Sequence, residues 1–446
     1  MPAQNPPKIA IIGAGPVGLA LASILHRHNI KAAVFERDTS VAVRAQGGTL
    51  DIHAESGQRA IAAAGLMAEF KKVARPEGDV ARIVKKDGTV VLDENENENE
   101  GAGFGENRGK GEGREGEGEG EGDDEDGRHG RPEIDRPDLK DLFLNSLPEG
   151  TVRWGKGVAA VSPVEGTAKW SLTFLDNDTS ESGPYDLVCG ADGTWSRVRP
   201  LLTDVRPHYS GVSVLDVWIS PSNLAARPDV AQFIGSGSVY MCAADRFLSL
   251  QRHGDGSARA YVCIKTTNEA EPSDDTVPSE ANLLGLAKEG AEGEIDWTTE
   301  RTRRTFLDHQ LSDFAPHVRD MLLAMTDRAL LRHLYMLPVG HTWESRPGVT
   351  LLGDAAHVMT PFAGVGVNVG MMDAMELAEG IVRYVRGARG EEEEGGLARV
   401  VKTYEEGMFE RSSKDAAFTA RMLDVEFRED GCENIAKIMS GEEPRA

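Results

Sequence analysis

The fold is decided by Lys8-Ile9-Ala10-Ile11-Ile12-Gly13-Ala14-Gly15-Pro16-Val17-Gly18, an apolar strand that runs directly into a glycine-rich turn. A second apolar run, Ala32–Phe35, follows a helix-forming stretch and ends at Glu36. A strand, a glycine turn, a helix, a second strand and a terminal acid together form the fingerprint of a dinucleotide-binding unit. The sequence therefore predicts a Rossmann-like α/β domain.

The residues of this turn have separate expected roles in holding a dinucleotide. Gly13 permits the tight turn, Gly15 lets a pyrophosphate approach the backbone, and Gly18 lets the helix pack against the sheet. Ala14, in the same turn, is expected to contact the cofactor. Glu36 can accept hydrogen bonds from the adenosine ribose, and its carboxylate would repel a 2′-phosphate. The nucleotide held here is therefore FAD or NAD rather than NADP.

A second strand-turn-helix pattern lies at Gly353–Asn368. It follows the apolar strand Val349–Leu352 and leads into a helix predicted from Val367 to Arg386. A helix N-terminus favours an anion, and a reduced flavin carries such a charge near N1 and C2=O. The carboxylate of Asp354 could bind a polyol. The residues expected to flank or bind a flat ligand there are Pro361, Gly364, Gly366, Val367 and Asn368.

A third motif, Asp186–Gly193 followed by Trp195, Ser196, Val198 and Arg199, lies between the other two. The three motifs, in this order and spacing, resemble those of the single-component FAD-dependent aromatic monooxygenases of the para-hydroxybenzoate hydroxylase type. The resemblance covers nearly the whole chain, and it implies that FAD is the bound nucleotide.

Within that group the chain looks closest to the tetracycline-inactivating flavin monooxygenases. The similar segments include Glu36–Asp38, Arg44–Asp51 and Glu133–Leu139. The resemblance implies that Arg44 handles NADPH. Lys140 stands where those enzymes usually carry an FAD-binding arginine, so the charge is kept and the bidentate fork is lost. The FAD-contacting residues expected from the resemblance are Arg37, Asp51, Arg136, Lys140 and Asp354.

The resemblance implies an FAD-dependent monooxygenase that uses NADPH, or otherwise NADH, and dioxygen. A flavin C4a-hydroperoxide would deliver one oxygen atom to an aromatic or enolised polycyclic molecule, tetracycline-like or a polyketide of secondary metabolism. No side chain is expected to act as a catalytic nucleophile, since the flavin carries the chemistry. Two alternatives stay open: an FAD-dependent reductase or dehydrogenase on the same scaffold, and a non-catalytic flavin-fold carrier.

Three polar residues allow a second interpretation besides a role in the reaction. Arg44 could form an ordinary surface ion pair instead of meeting the nicotinamide. Arg136 could form a salt bridge with a neighbouring carboxylate instead of lying near the flavin. His357 could act as an acid or base, or it could make a structural hydrogen bond.

Short strands separated by turns, at 238–242, 247–251 and 259–264, predict an inserted α+β substrate domain built on an antiparallel sheet. Residues 298–324 are predicted to be helical and to close this domain. The expected substrate-contacting residues are Asp216, Met241, Tyr261 and Phe362; for Met241 and Tyr261 a place in the core is the alternative. The expected segments are 1–75, 132–203 and 331–388 for the FAD-binding domain, 76–93 and 204–330 for the substrate domain, and 397–438 for C-terminal helices.

The acidic charge of the chain is concentrated in one segment. Residues 94–131 contain fourteen acidic and five basic residues, a net charge of −9 within a total of −24, together with twelve glycines. This composition cannot bury a core, so the segment is expected to be a disordered surface insert. The overall acidity argues against a nucleic-acid partner.

Hydropathy, the N-terminal segment and the cysteines indicate where the protein is located and which partners it has. No apolar run is long enough to span a membrane, and Met1–Lys8 lacks a secretory apolar region, so a cytoplasmic protein is expected. The four cysteines form no close pair along the sequence and are interpreted as incidental thiols, without a metal or redox site. The expected protein is a monomer whose partners are a small-molecule substrate and dioxygen.

Overall fold

The computed structural model describes residues 6–41, 47–95, 130–266, 277–284, 296–297, 299–325, 327–387 and 395–442. In chain order its strands are β1 (Ile9–Ile12), β2 (Ala32–Phe35), β3 (Thr49–Asp51), β4 (Ala81–Val84), β5 (Val90–Asp93), β6 (Glu133–Asp135), β7 (Val152–Arg153), β8 (Val158–Pro163), β9 (Trp170–Phe174), β10 (Leu187–Gly190), β11 (His208–Ile219), β12 (Ser238–Ala243), β13 (Arg246–Arg252), β14 (Ala258–Lys265), β15 (Arg328–Met336) and β16 (Val349–Leu351).

The α-helices are α1 (Pro16–Arg27), α2 (Gly57–Ala64), α3 (Met67–Val73), α4 (Arg136–Leu144), α5 (Pro221–Ala225), α6 (Pro228–Ile234), α7 (Glu280–Leu283), α8 (Glu300–Gln310), α9 (Pro316–Ala324), α10 (Asp354–His357), α11 (Gly366–Arg386), α12 (Gly396–Glu426) and α13 (Gly431–Met439). Among the described residues, no helix combines the length and the apolar composition needed to cross a membrane.

A parallel sheet with the order β16-β10-β1-β2-β7 confirms the Rossmann-like prediction. Strand β1 pairs in parallel with both β10 and β2, and all four of its residues are buried. Parallel strands that are covered on both faces need such continuous apolar runs. Because parallel strands end at the same edge, this order places the glycine turn after β1 beside the turns that follow β10 and β16.

A second sheet, with the order β15-β11-β14-β13-β12-β4-β5, confirms the predicted α+β substrate domain. Its neighbouring strands are antiparallel except for the parallel pair β12 and β4. One face is apolar and forms a common core with residues of α6–α9. The opposite face, called the chamber face below, contributes residues such as Val214, Phe247 and Cys263 to a core shared with the end of α12 and with α13. Strand β15 stays in this sheet to Met336, so the substrate domain extends beyond the expected boundary at 330.

The predicted C-terminal helices are confirmed as α12 and α13, while the acidic insert is only partly described. The backbone N–H of Ala81 donates to Oε2 of Glu94 over 2.9 Å, and that of Arg131 donates to Oδ2 of Asp79 over 2.9 Å. Glu94 and Arg131, the two end residues of the expected insert, are therefore each hydrogen-bonded to residues outside the insert. Residues 96–129 lie outside the described residues.

Candidate active site

The glycine turn after β1 combines two glycines that the fold requires with one that leaves space. Gly13 has φ +105°, and a Cβ there would lie 2.4 Å from the carbonyl oxygen of Ala191. A Cβ at Gly18 would lie 2.2 Å from the carbonyl oxygen of Gly13. A Cβ at Gly15 would meet no atom within 4 Å, and no side chain caps the start of α1. The open space lies in front of a helix N-terminus, where a phosphate group is favoured.

Glu36 closes one side of this turn. Its Oε2 accepts a hydrogen bond from the backbone N–H of Ala14 over 2.8 Å, and its Oε1 accepts one from the N–H of Asp38 over 3.0 Å. These bonds fix the carboxylate at the carboxyl end of β2. The side chain of Arg37, next in sequence, is exposed.

The segment Gly353–Asn368, called the late motif below, brings a second helix N-terminus to the same region. Gly364 has φ +70°, and a Cβ there would lie 3.5 Å from Oδ1 of Asp51. Two predicted cofactor residues, far apart in sequence, are thus brought together. Helix α11 begins at Gly366 and Val367 without a side-chain cap, and a Cβ at Gly366 would meet open space. Pro361 and the side chain of Asp354 are also exposed.

Asn368 ties the start of α11 to the end of β3. Its side chain is buried; Nδ2 donates to the carbonyl oxygen of Asp51 over 2.9 Å, and Oδ1 accepts from the N–H of His53 over 3.0 Å. The amide side chain therefore positions the loop that carries Asp51, in addition to any contact that its backbone makes with a ligand.

Asp373 fixes the Gly353–Asp354 turn by accepting a hydrogen bond from its backbone. The sequence did not predict this role. Asp373 is fully buried in α11 and accepts from the N–H of Gly353 at 2.9 Å, from Nη2 of Arg411 at 2.8 Å and from Nε2 of His357 at 2.6 Å. Burial lowers the pKa of His357, but the Asp373 carboxylate outweighs it, so the net pKa is raised. Of the two interpretations of His357, this geometry matches the structural hydrogen bond.

Arg199 is the last residue of the third sequence motif (residues 186–199), called the middle motif below. It joins this motif to the late motif, a contact that the sequence did not predict. Its buried guanidinium donates from Nε to the carbonyl oxygen of Ala355 at 2.8 Å and from Nη2 to that of Asp354 at 2.9 Å. Nη1 donates to the carbonyl oxygen of Thr194 over 2.8 Å. One side chain thus fixes the backbone on which Asp354 stands.

The basic residues that were predicted to contact FAD or NADPH have different surroundings in the structure. The exposed Arg136 side chain lies against the backbone of Gly47, since a Cβ there would be 2.5 Å from Cδ of Arg136. Lys140 extends over the ring of Trp154, with Nζ 5.2 Å from the ring centroid. Arg44 lies outside the described residues.

Two of the predicted substrate residues lie on the chamber face. The Asp216 carboxylate is buried between Arg259 Nε and Arg332 Nη2, each 3.3 Å from one of its oxygens. Nη1 of Arg259 donates to the hydroxyl of Tyr261 over 3.3 Å. That hydroxyl would lie 2.4 Å from a Cβ at Gly48, so Tyr261 reaches the segment that leads into β3. The chamber face therefore meets the candidate cofactor residues at this point.

The prediction for Met241 is wrong, because its side chain points away from the chamber. Met241 is fully buried on the opposite face of β12, in the apolar core with the helices. Phe362 is buried in an aromatic cluster, with its ring centroid 5.9 Å from that of Phe247 and 5.2 Å from that of Phe427. It therefore packs between the late motif, the chamber face and the end of α12.

Several buried polar atoms around the chamber face have no hydrogen-bond partner within the described part of the chain. They come from β6, β12, β13, the late motif and α12, and they are Glu133 Oε2, Ser238 Oγ, Gln251 Oε1, Thr360 Oγ1 and Glu426 Oε2. Buried polar groups are normally paired, so an unpaired set calls for a further partner. A polar ligand that fills the space between the two sheets would supply it.

Glu133, which pairs with Asp51 across β6 and β3, titrates near neutrality. Burial raises the pKa of Glu133 from 4.5 to about 7, against the opposing effects of Thr49 and Arg75. Since the folded state binds this proton more tightly than the unfolded state, the stability that the group contributes falls as pH rises from 4.5 to about 7.

We expect Glu133→Gln to remove this pH dependence. The variant's advantage over the parent in free energy of unfolding should grow by roughly 2–3 kcal/mol between about pH 5 and about pH 8. Urea unfolding of both proteins at the two pH values measures this, with the exposed Glu149→Gln as control. An advantage that does not change with pH would show that Glu133 titrates outside this range.

Comparison with known proteins gives a consistent family assignment. A family model described as FAD binding domain matches residues 7–395. The chain is 29% identical to the monooxygenase penA of Penicillium thymicola, over 97% of this chain and 98% of that protein. It is 31% identical to the monooxygenase asqM of Emericella nidulans, over 85% of each chain.

One solved structure has a similar overall fold. The tetracycline destructase Tet(51) superposes with a TM-score of 0.60 and 19% sequence identity, covering 99% of this chain and 95% of that one. At this identity the likeness shows a shared architecture. The resemblance inferred from the three motifs is thereby confirmed for the fold.

Proposed function

The chain belongs to the FAD binding domain family as an FAD-dependent monooxygenase, and we propose that it uses NADPH to hydroxylate an aromatic or enolised polycyclic molecule. The observation that carries the proposal is the convergence of two uncapped helix N-termini with Asp51, beside the chamber face. Such an arrangement can hold an anionic dinucleotide and place its ring against a second molecule.

The described residues fit FAD. The open space at Gly15 and the start of α1 would hold the pyrophosphate, and Glu36 would accept from the ribose. Asp354 would bind the polyol, and the ring would lie beside Gly364 and the start of α11. When bound, FAD supplies the redox chemistry and the activation of dioxygen.

The protein's own contribution is orientation, charge stabilisation and exclusion of water. The partial positive charge at the N-terminus of α11 would stabilise negative charge on the adjacent edge of the ring. Arg199 and Asp373 keep the late motif in one position by binding its backbone. The Phe362 cluster fills the far side of the site with apolar surface, which excludes water.

NADPH is proposed to visit the flavin without a domain of its own. Glu36 disfavours a 2′-phosphate at the glycine turn, so NADPH would bind elsewhere. Arg44 is our candidate for that contact through the family resemblance. A monomer would suffice for this reaction.

The chamber face favours a flat substrate with polar substituents. The rings of Tyr240 and Phe247 stack with centroids 6.0 Å apart and an angle of 15° between their planes. Arg259 and Tyr261 supply hydrogen-bond donors beside them. Aromatic surface with a few polar groups at its edge is typical of sites for fused-ring molecules.

Tyr261 tests this assignment of the chamber. We expect Tyr261→Ala to retain FAD but to uncouple NADPH oxidation from oxygen insertion, releasing hydrogen peroxide, because the ring would no longer position the substrate. The matched control is Met241→Ala on the opposite face, which should lower stability by about 2–5 kcal/mol while coupling is kept. Peroxide yield and melting temperature are measured on both variants. Full coupling in Tyr261→Ala would remove Tyr261 from the substrate site.

The proposed function as a whole is tested with a panel of fused-ring phenols and polyketides, including a tetracycline. A true substrate should stimulate NADPH oxidation and yield an oxygenated product. Consumption of NADPH with a reduced product and no uptake of dioxygen would instead establish the alternative reductase.

A further inference from the structure

Cys242 and Cys432 form a close thiol pair, although they are separated by 190 residues. The backbone N–H of Cys242 donates to Sγ of Cys432 over 3.2 Å. Sγ of Cys432 also lies 3.8 Å from the carbonyl oxygen of Cys242 and 3.4 Å from that of Val84. The sequence analysis found no close pair along the chain, and the fold brings these two cysteines together.

The approach of the two backbones is unusually close at this point. Cys242 lies on the chamber face of β12, and Cys432 lies in the first turn of α13. A Cβ at the neighbouring Gly431 would lie 2.7 Å from Cβ of Cys242 and 3.1 Å from its Sγ. Disulfides require Cβ atoms about 3.5–4.5 Å apart. The packing of α13 on β12 places Sγ of Cys432 within 3.2 Å of the backbone nitrogen of Cys242, so the two residues are in direct contact.

The two thiols are also chemically unequal. Burial raises the pKa of Cys242 well above its usual range, and its thiol hydrogen-bonds to that of Cys432. That hydrogen bond lowers the pKa of Cys432, assisted by the nearby charge of Lys85. The thiolate is the reactive form of cysteine, so the hydrogen bond between the two thiols favours formation of a thiolate within the pair.

A cleft that is open to solvent reaches Cys242. This cleft of about 570 Å³ is lined by Cys242 together with charged residues of the β4–β5 turn and of the segment before and within α13. Lys85, Lys86 and Arg428 contribute the positive side of that cleft. A molecule as small as a peroxide can enter such a space.

We propose that Cys242 and Cys432 are a site of reversible oxidation by hydroperoxides, which convert the pair into a disulfide between β12 and α13. The thiolate of one cysteine attacks one peroxide oxygen, the O–O bond breaks, and protonation of the departing oxygen yields water and a sulfenic acid. The sulfur of the other cysteine then displaces the sulfenic oxygen, which leaves as a second water. Two thiols and one hydrogen peroxide give one disulfide and two waters. The proposal does not depend on the reaction catalysed at the flavin.

The pair is tested by treating the purified, flavin-loaded protein with hydrogen peroxide, followed by alkylation, proteolysis and mass spectrometry. We expect one linked peptide joining Cys242 to Cys432, a fall from four to two thiols titratable in denaturant, and recovery of all four with dithiothreitol. Cys432→Ser should abolish the linked peptide.

The matched control is Cys263→Ser. Cys263 lies on the same face but is separated from Cys242 by β13, at about twice the spacing of neighbouring strands. That variant should still form the Cys242–Cys432 link. Four titratable thiols after treatment, a link to a different cysteine, or irreversible oxidation of Cys432 without a link would each overturn the proposal. The search for the linked peptide in the unsubstituted protein tests the proposal even where a variant fails to fold.

Discussion

Replacing Gly15 with alanine should weaken FAD binding by roughly 10- to 100-fold while leaving the flavin-free fold intact. The added methyl group meets no protein atom within 4 Å, so nothing in the folded chain opposes it. It occupies the space proposed for the pyrophosphate, however, and would displace that group from the N–H groups of α1. Losing one hydrogen bond to a charged group costs about 1.5–3 kcal/mol, which corresponds to this loss of affinity.

The control for this prediction is Gly18→Ala in the same turn. Its Cβ would lie 2.2 Å from the carbonyl oxygen of Gly13, so the backbone must shift. We expect a loss of about 1–3 kcal/mol or more in stability, as for other overpacked sites. Flavin fluorescence titration and thermal melting of both variants separate the two effects. Unchanged FAD affinity in Gly15→Ala would show that the pyrophosphate binds elsewhere.

Replacing Asp373 with alanine should destabilise the protein by about 3–5 kcal/mol, the usual cost of breaking a buried ion pair by removing one partner. His357 and Arg411 would lose their shared carboxylate, and the N–H of Gly353 would lose its acceptor. Because that N–H fixes the turn bearing Asp354, FAD retention should fall as well.

The matched control is Glu376→Ala, which removes the second carboxylate bound to Arg411. Glu376 is about one-third exposed, so its loss should cost less than about 1 kcal/mol. Chemical denaturation and FAD content are measured on both variants. Equal, small effects would mean that Asp373 does not hold the late motif.

Local motifs could be predicted from the sequence because each carries its own geometric requirement. The turn at Gly13–Gly18 needs glycine for reasons that hold within a few residues, and Glu36 follows from the end of the next strand. The meeting of Asp51 with Gly364 was expected only through the family resemblance, because no local rule links positions so far apart.

Strand alternation explains the error at Met241. The strand itself was predicted, but neighbouring residues on a strand point to opposite faces, so a shift of one position moves a side chain from chamber to core. Tyr240 and Cys242 lie on the chamber face, and Met241 between them does not. Which face of the strand lies toward the candidate cofactor residues depends on tertiary packing.

The contacts that were not predicted join positions far apart in the sequence. Arg199 binds carbonyl groups of the late motif, and Asp373 joins α11 to α12 and to Gly353. The thiol pair Cys242 and Cys432 belongs to the same class. Their partners become visible only once the chain is folded.

The central claim, that the protein is an NADPH-dependent FAD monooxygenase, is tested most directly by turnover under ¹⁸O-labelled dioxygen with a substrate from the panel. We expect the product to carry one labelled oxygen atom, with one equivalent each of NADPH and dioxygen consumed per product. Labelled oxygen should then be absent from product formed under unlabelled dioxygen in ¹⁸O-labelled water. Product oxygen derived from water, or product formed without uptake of dioxygen, would contradict the account.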